Sequence, residues 1–490
     1  MLSFCIKLHE APKNMNSNNP YRHDREEIAE LLLQFNNIRS GKGNGYIEEE
    51  GFERIFDYYM DKEKHADALE AIEIAINQFP YSASLLIKKA DVYIALKRFS
   101  DSLTVLEQAY WLDTKELSYY VIKTDALLAL GQSEDASNLL QSALVVFEGE
   151  EKIELLFQLS EVYDDYECFD QVFECLALIL KEDFANEEAL YKICFWTDFT
   201  GRNEEGIRLH QEIIEQNPFS ELAWFNLGSA YQGIKLYEKA IDAYQYAVAI
   251  DEEFDYAYRN MGDAFIKLRK YKDAIDVLEK VVALSRPESI IFEAIGHCYN
   301  KLNNFSQARV NYKKAYHLNP EDTQLQYKIA CTYMGESNWE LAIKFLQAAT
   351  KIHAMQPDYN VALGRCYSQL GNYEEAIIYF GNAVRVKNKN SNVWIELLNC
   401  LYDASLYNEG FEYAALAFEQ TSSKPIFIYY KSAFLFASGQ SKQAIQYLEQ
   451  ALVASPKYIK QFIEIDPSIL QHQQVAELLS LHKKKKSSNK

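Results

Sequence analysis

The sequence predicts an all-α chain built from about twelve repeated helical hairpins. Helix breakers are scarce, with only 18 Gly and 10 Pro among 490 residues. Aromatic residues recur with a period of 34, at Tyr237, Tyr271, Phe305, Trp339, Tyr373 and Tyr407. Small residues recur with the same period, at Ala240, Ala274, Ala308, Ala342 and Ala376. Small side chains at a fixed interval are what two closely approaching helices require.

The repeats define an array over residues 49–458, with two extra residues in the stretch 148–152. Prolines that follow the second helix, such as Pro218 and Pro320, mark where one hairpin ends and the next begins. Repeats three, five and eleven lack several signature residues, for example with Gly206 and Gly410 in the slot that Ala240 holds, so we expect those hairpins to be looser or tilted. The predicted first helices start at Glu49, Ala83, Leu117, Ile153, Glu187, Glu221, Asp255, Ser289, Thr323, Pro357, Ser391 and Pro425.

Segments outside the array are expected to cap it, because a terminal hairpin otherwise exposes its stacking face. Residues 24–48 pattern as an amphipathic capping helix and a loop, and 459–482 as a capping helix interrupted by Pro467. We expect residues 1–23 to be disordered or an over-extended start, with Met15 as the alternative first residue. The basic tail at 483–490 is expected to be disordered, and solvation is its simplest role.

Composition excludes several classes of protein. Apolar residues make up 48% of the chain, too many for a disordered protein, and no apolar run is long enough to cross a membrane. The start lacks a signal-peptide core, so we expect a cytoplasmic protein. Eight scattered cysteines form no C-x-x-C pair, and the stretch GKGNG at 41–45 lacks P-loop spacing. We therefore predict no metal, no cofactor and no catalytic residue.

The repeat resembles the tetratricopeptide (TPR) pattern of a large residue followed by Leu, Gly or Ala, Tyr, Ala, an aromatic residue, Ala and Pro. The match is close in AWFNLGSAYQGIKLYEKAIDAYQYAVAID, residues 223–251. Both ends of the chain are similar to those of long bacterial all-TPR proteins. The resemblance implies a right-handed superhelical solenoid whose first helices line a concave groove, and it implies a role in binding other proteins.

Acidic residues occupy one groove position in four successive repeats. The ninth position holds Asp57, Asp91, Asp125 and Glu161, and Asp164 and Asp165 follow close by. Residues 101–200 contain 22 acidic and 5 basic residues, a net charge of −17 within a total of −21. This charge predicts a basic peptide or helix as partner and disfavours nucleic acid. The alternative is that the acids only keep the array soluble.

Other groove positions differ in chemistry. Asn226 and Asn260 hold the sixth position of consecutive repeats, a placement similar to the asparagine ladder with which the O-GlcNAc transferase superhelix grips peptide backbone. Further along, an acidic or aromatic segment is expected to dock on a set of mainly basic and aromatic residues. These residues are Arg259, His297, Tyr327, Lys328 and Arg365.

The leading interpretation is a non-enzymatic scaffold or adaptor that binds peptide or helical segments of other proteins in its groove. Two alternatives remain open. The acidic and basic ends could drive head-to-tail self-assembly, or the chain could be a regulatory subunit whose catalytic partner is a separate chain. Nucleic acid and membrane insertion are not expected.

Overall fold

The computed structural model describes residues 21–42, 45–112 and 116–479, with the side chains of 21–26 excepted. Every regular element in these ranges is helical, which confirms the all-α prediction. The chain divides into two compact units after Ala257. The N-terminal residues 1–20, the possible start at Met15 and the basic tail lie outside the described ranges.

The N-terminal unit is a series of antiparallel hairpins in which each first helix packs against its second helix and the next hairpin. An initial helix, α1 (Tyr21–Arg39), precedes hairpin 1. Hairpins 1 to 6 follow as α2 (Glu49–Asp61) and α3 (His65–Gln78), α4 (Ala83–Ala95) and α5 (Phe99–Tyr110), α6 (Leu117–Ala129) and α7 (Ser133–Ala143), α8 (Gly149–Asp165) and α9 (Phe169–Glu182), α10 (Glu187–Thr200) and α11 (Asn203–Gln216), and α12 (Glu221–Gly233) and α13 (Tyr237–Ile250).

The C-terminal unit repeats the same hairpin, and α14 crosses the boundary between the units. Its helices are α14 (Asp255–Lys267), α15 (Tyr271–Leu284), α16 (Ser289–Lys301), α17 (Phe305–Leu318), α18 (Thr323–Gly335), α19 (Trp339–Ile352), α20 (Pro357–Gln369), α21 (Tyr373–Val386), α22 (Ser391–Asp403), α23 (Tyr407–Gln420), α24 (Ile426–Ala437), α25 (Ser441–Ala454) and α26 (Ile459–Ile465).

Hairpin boundaries follow from local side-chain chemistry. Ser82, Ser220 and Asn186 each accept a hydrogen bond from a backbone N–H in the first turn of the helix they precede, as good N-caps do. Each hairpin turn also contains one residue with positive φ. Gly fills this place at Gly131 and Gly201, whereas Lys97 and Lys235 adopt it despite the cost to a residue with a Cβ atom.

The repeated small residues lie where the sequence predicts close helix contacts. Ala240 and Ala247 are fully buried, as are Ala274 and Ala308. Trp394 is also buried, with 1% of its surface exposed, and its indole N–H donates to the Asn388 carbonyl. These residues therefore form the core of the hairpin stack and are not available to a ligand.

The two helices of hairpins 3 (α6, α7), 5 (α10, α11) and 11 (α22, α23) contact each other less than those of most other hairpins, as the sequence predicts. Gly206 and Gly410 are nevertheless closely enclosed by other side chains. A Cβ on Gly206 would lie 2.6 Å from Thr197 Cγ2, and one on Gly410 would lie 2.2 Å from Phe434 Cε1. Larger side chains on the facing helices fill the space that alanine occupies elsewhere. Glycine is therefore required at both positions for close packing.

Both ends of the described array are covered by packed segments. Phe35 of α1 is fully buried in a cluster with Phe52 and Ile55. At the other end Phe462 of α26 and Ile469 are buried against hairpin 12, which α24 and α25 form. The Tyr402 hydroxyl donates to Asp466 at 2.8 Å and ties this segment to α22. These contacts keep the apolar faces of the terminal hairpins out of water.

Candidate protein-binding face

Four carboxylates form a row along the first helices of hairpins 1 to 4, a surface that we call the front face. Asp57, Asp91, Asp125 and Glu161 lie on α2, α4, α6 and α8 respectively. Burial is the main cause that raises the pKa of Asp125, followed by the charges of Asp91 and Glu161. The structure thus places these residues within electrostatic reach of each other, as one acidic row.

A lysine lies close to the acid at each end of the acidic row. The Lys88 ammonium lies 2.9 Å from the Asp57 carboxylate, and Lys192 lies 4.0 Å from Glu161. In both cases the lysine is at the sixth position of the following repeat. Lys192 also pairs with Glu188 at 2.7 Å and lies over the Phe157 ring. At each end of the row, the ninth-position acid thus has a lysine of the following repeat within 4.0 Å.

The two central acids of the row lack such a lysine. Ile122 occupies the sixth position after Asp91, and Gln158 occupies it after Asp125. Among the residues that the structure describes, no cation lies within 4.0 Å of either carboxylate. The Gln158 amide donates to the Asp125 carboxylate at 3.5 Å.

Burial raises the pKa of both central acids above the usual value. For Asp91 the charge of Asp57 adds to this effect, while Lys88 and His65 oppose it. Asp125 is open to solvent on one side, but the neighbouring first helices exclude water from the other. Two carboxylates in such a place, with no salt-bridge partner among the described residues, attract an external cation more strongly than fully hydrated carboxylates do.

Asp164 and Asp165 extend the negative charge to the end of α8. Both are exposed. Burial and then the charge of Asp165 raise the pKa of Asp164. The predicted acidic residues Asp164 and Asp165 therefore lie exposed in the last turn of α8.

An aromatic cluster continues the front face beyond the acids, and the sequence analysis did not identify it. Phe195 and Phe199 of α10 stack with ring centroids 5.5 Å apart, and Trp196 stacks on Phe169 at the same separation. Phe195 is at the ninth position of repeat five. Extending the column of acids by a single repeat would have revealed it.

The structure corrects the prediction for Asn226. Its side chain is 3% exposed, and its amide donates to the Leu190 carbonyl at 2.7 Å. Asn226 thus joins α12 to α10 and has no amide free for a peptide. Asn260 is partly exposed on α14. The described structure therefore provides no accessible two-residue amide ladder.

The predicted basic residues of the C-terminal unit are also committed to internal contacts. Arg259 donates to both carboxylate oxygens of Glu288, at 3.0 and 2.8 Å. Lys328 pairs with Glu293, and Arg365 pairs with Glu396. Acids of neighbouring repeats thus pair with the cations that we expected to bind an acidic segment.

Two further residues predicted in this region are partly buried by their neighbours. Tyr327 stacks on Tyr359 at 5.3 Å, and the His297 ring packs edge-on against Tyr271 at 6.4 Å. Burial is the main cause that lowers the pKa of His297, and Lys301 and Lys328 add to the shift. The five predicted residues do not form a single open cationic site.

The net basic charge of the C-terminal region comes from the tail alone. Residues 301–479 contain 16 acidic and 16 basic residues, and the five remaining lysines are at 483–486 and 490. Any electrostatic contact that uses a basic end of this chain must therefore involve residues outside the described ranges.

Two of the buried cysteine thiols have raised pKa values. Burial raises the pKa of the Cys366 thiol to about 12 and that of Cys298 to about 11, so both are protonated at neutral pH. Within residues 21–42, 45–112 and 116–479, no group of His, Cys, Asp and Glu could hold a metal ion. None of the helices described is long and apolar enough to cross a membrane.

Three family models match parts of the chain. Two are described as tetratricopeptide repeat, at residues 54–116 and 357–390. The third is described as the tetratricopeptide repeat protein 21 C-terminal ARM domain, at residues 225–362. No curated protein matches the chain.

The solved structures that match this chain include three with TM-scores below 0.5. YrrB, described as a TPR protein with an unusual peptide-binding site, is 21% identical over 38% of this chain and 95% of its own, with a TM-score of 0.34. The Cut9–Hcn1 hetero-tetramer of APC/C is 13% identical over 81% of this chain and 96% of its own, with a TM-score of 0.34. The C-terminal part of a TPR repeat-containing protein from Cytophaga hutchinsonii is 17% identical over 49% of this chain and 99% of its own, with a TM-score of 0.44.

Proposed function

Since this chain is a tetratricopeptide-repeat protein, we propose that it is a non-enzymatic scaffold or adaptor whose front face binds a basic segment of another protein. Repeat proteins of this kind generally mediate protein–protein interactions. The observation behind this proposal is that neither Asp91 nor Asp125 has a cation within 4.0 Å among the described residues, whereas Asp57 and Glu161 each have a lysine at that distance or closer. We therefore expect the partner to supply the cations for Asp91 and Asp125.

The spacing of the first helices sets the spacing of the partner's charges. Adjacent packed helices lie about 10 Å apart, and an extended chain advances about 3.4 Å per residue. Basic side chains about three residues apart would therefore reach Asp91 and Asp125 together. Each contact would be a charge-assisted hydrogen bond in a partly desolvated place, where such bonds are strongest.

Replacing the two central acids with their neutral isosteres tests the proposal. The probe is a labelled Ser/Gly peptide with two lysines about three residues apart, called the lysine peptide. We expect it to bind the natural chain at low salt and to lose at least about tenfold in affinity for Asp91→Asn/Asp125→Asn. Fluorescence anisotropy measures this difference.

A matched control separates this site from general acidity. Asp135→Asn/Asp170→Asn removes the same charge from the second helices α7 and α9, and it should leave the affinity nearly unchanged.

The Asp91 and Asp125 carboxylates have raised pKa values, so the stability they contribute is present at low pH and lost as pH rises through those values. The double Asn variant should therefore be at least as stable as the natural chain at pH 7. Equal loss of binding in both double variants would contradict the proposal.

A further inference from the structure

We propose that the partner segment also carries a bulky apolar side chain, and that this side chain docks on the aromatic cluster of Phe169, Phe195, Trp196 and Phe199. The inference rests on the proposed function and specifies the partner more narrowly. The segment is basic where it crosses hairpins 2 and 3, and it is apolar where it reaches hairpin 5.

The aromatic cluster is open to solvent to an unusual degree for so many rings in contact. The Phe199 side chain is 54% exposed, and Phe195 and Trp196 are partly exposed. Phe199 packs edge-on against Phe169 at 5.0 Å and against Trp196 at 5.6 Å. Tyr191, one turn earlier on α10, is 45% exposed. Contiguous exposed aromatic surface of this kind marks a binding site more often than isolated exposed residues do.

The cluster lies on the same side of the first helices as the acidic row. Phe195 holds the ninth position of repeat five, directly after Glu161 of repeat four in that column. Lys192 links the two helices, because it lies 4.0 Å from Glu161 and within 5.0 Å of the Phe157 ring centroid. A segment that follows the acidic row toward hairpin 5 therefore meets the rings next.

The charges around the cluster select the same partner as the acidic row. Asp198 on α10 is exposed, as are Asp164 and Asp165 at the end of α8. An acidic segment would be repelled here, whereas a basic segment could place an apolar side chain on the rings and its own cations near these carboxylates. Aromatic faces also attract cations, which favours basic residues next to the apolar one.

Helix spacing fixes where the apolar side chain must lie in the segment. Two hairpin steps separate Asp125 from Phe195, a distance of about 20 Å. An extended chain covers this with about six residues. The apolar residue is therefore expected about six residues beyond the lysine that binds Asp125.

The test compares the lysine peptide with two anchored versions. Each carries one tryptophan about six residues beyond its lysine pair, on one side or the other. Because a bound segment has one direction on the front face, one anchored peptide should bind the full-length natural chain about tenfold or more tightly than the lysine peptide. The other should gain less. Moving the tryptophan to about three residues from the lysines should remove the gain.

Phe199→Ala should abolish the gain while leaving affinity for the lysine peptide unchanged. Tyr246→Ala is the matched control, because Tyr246 is a 57% exposed ring stacked on Trp224 of α12. It should retain the gain. Phe195→Leu preserves apolar packing and should reduce the gain in part.

The outcomes distinguish the two proposals. If the lysine peptide binds through Asp91 and Asp125 but neither anchored peptide gains affinity, the inference is wrong and the proposed function stands. A gain that persists in Phe199→Ala also overturns the inference. If no peptide binds, both fail. Self-association of the full chain that Phe199→Ala abolishes would overturn the assignment to a foreign partner in favour of a second copy.

Discussion

Gln158→Lys is expected to reduce the affinity for the lysine peptide at least about tenfold, although every carboxylate of the acidic row remains. A lysine at 158 restores the sixth-position cation that Lys88 and Lys192 provide for the two ends of the row. The Gln158 amide already lies 3.5 Å from the Asp125 carboxylate, so an ammonium group at this site can pair with it. The internal cation then competes with the cation of the partner.

Gln171→Lys provides the matched control for this substitution. Gln171 is exposed on α9, the second helix of the same hairpin, so the variant has the same net charge but leaves Asp125 unpaired. Its affinity should change little at moderate salt, where the screening length is about 8 Å. Equal weakening by both lysines would show that net charge alone controls binding. Such a result would contradict the role assigned to the central pair.

His210→Leu is expected to remove a large part of the acid sensitivity of hairpin 5. His210 of α11 is completely buried, and neither ring nitrogen has a hydrogen-bond partner among the described residues. Desolvation lowers its pKa from 6.5 to about 3. Below pH 6.5, His210 therefore binds a proton in the unfolded chain but stays neutral in the folded chain. The free energy of unfolding consequently falls as the pH falls from 6.5 toward 3.

At pH 4.5 this single histidine should cost about 3 kcal/mol relative to neutral pH. Hydrogen exchange of α11 at pH 7.5 and 4.5, corrected for the intrinsic exchange rate, measures the loss for one hairpin without assuming two-state unfolding. His210→Leu should show the smaller loss, while His317→Leu, at an exposed site on α17, should match the natural chain. An unchanged pH dependence in His210→Leu would show that other groups determine the acid sensitivity.

The hairpin core could be predicted from the sequence because its residues repeat with a fixed period. Ala240 and Ala308 are buried because each hairpin requires the same close contact between its helices. The close packing around Gly410 could not be predicted from the repeat period. It depends on Phe434, which lies 24 positions later and fills the space from the next hairpin.

The candidate site was predictable only in part, because position in a repeat does not reveal the contacts of a side chain. The ninth-position column correctly placed Asp91 and Asp125 on neighbouring helices. The same reasoning failed for Asn226, whose amide bonds to the Leu190 carbonyl across the hairpin interface. It also failed for Arg259, because Glu288 lies 29 positions away in sequence but next to it in the fold.

Mapping where the lysine peptide binds tests the central claim most directly. A photoreactive group placed between its two lysines should cross-link to residues of α4 and α6 when the full chain is illuminated and digested. Asp91→Asn/Asp125→Asn should lose these cross-links at the same peptide concentration. Cross-links confined to the second helices α5 and α7, or to the C-terminal unit, would contradict the claim that the front face is the binding site.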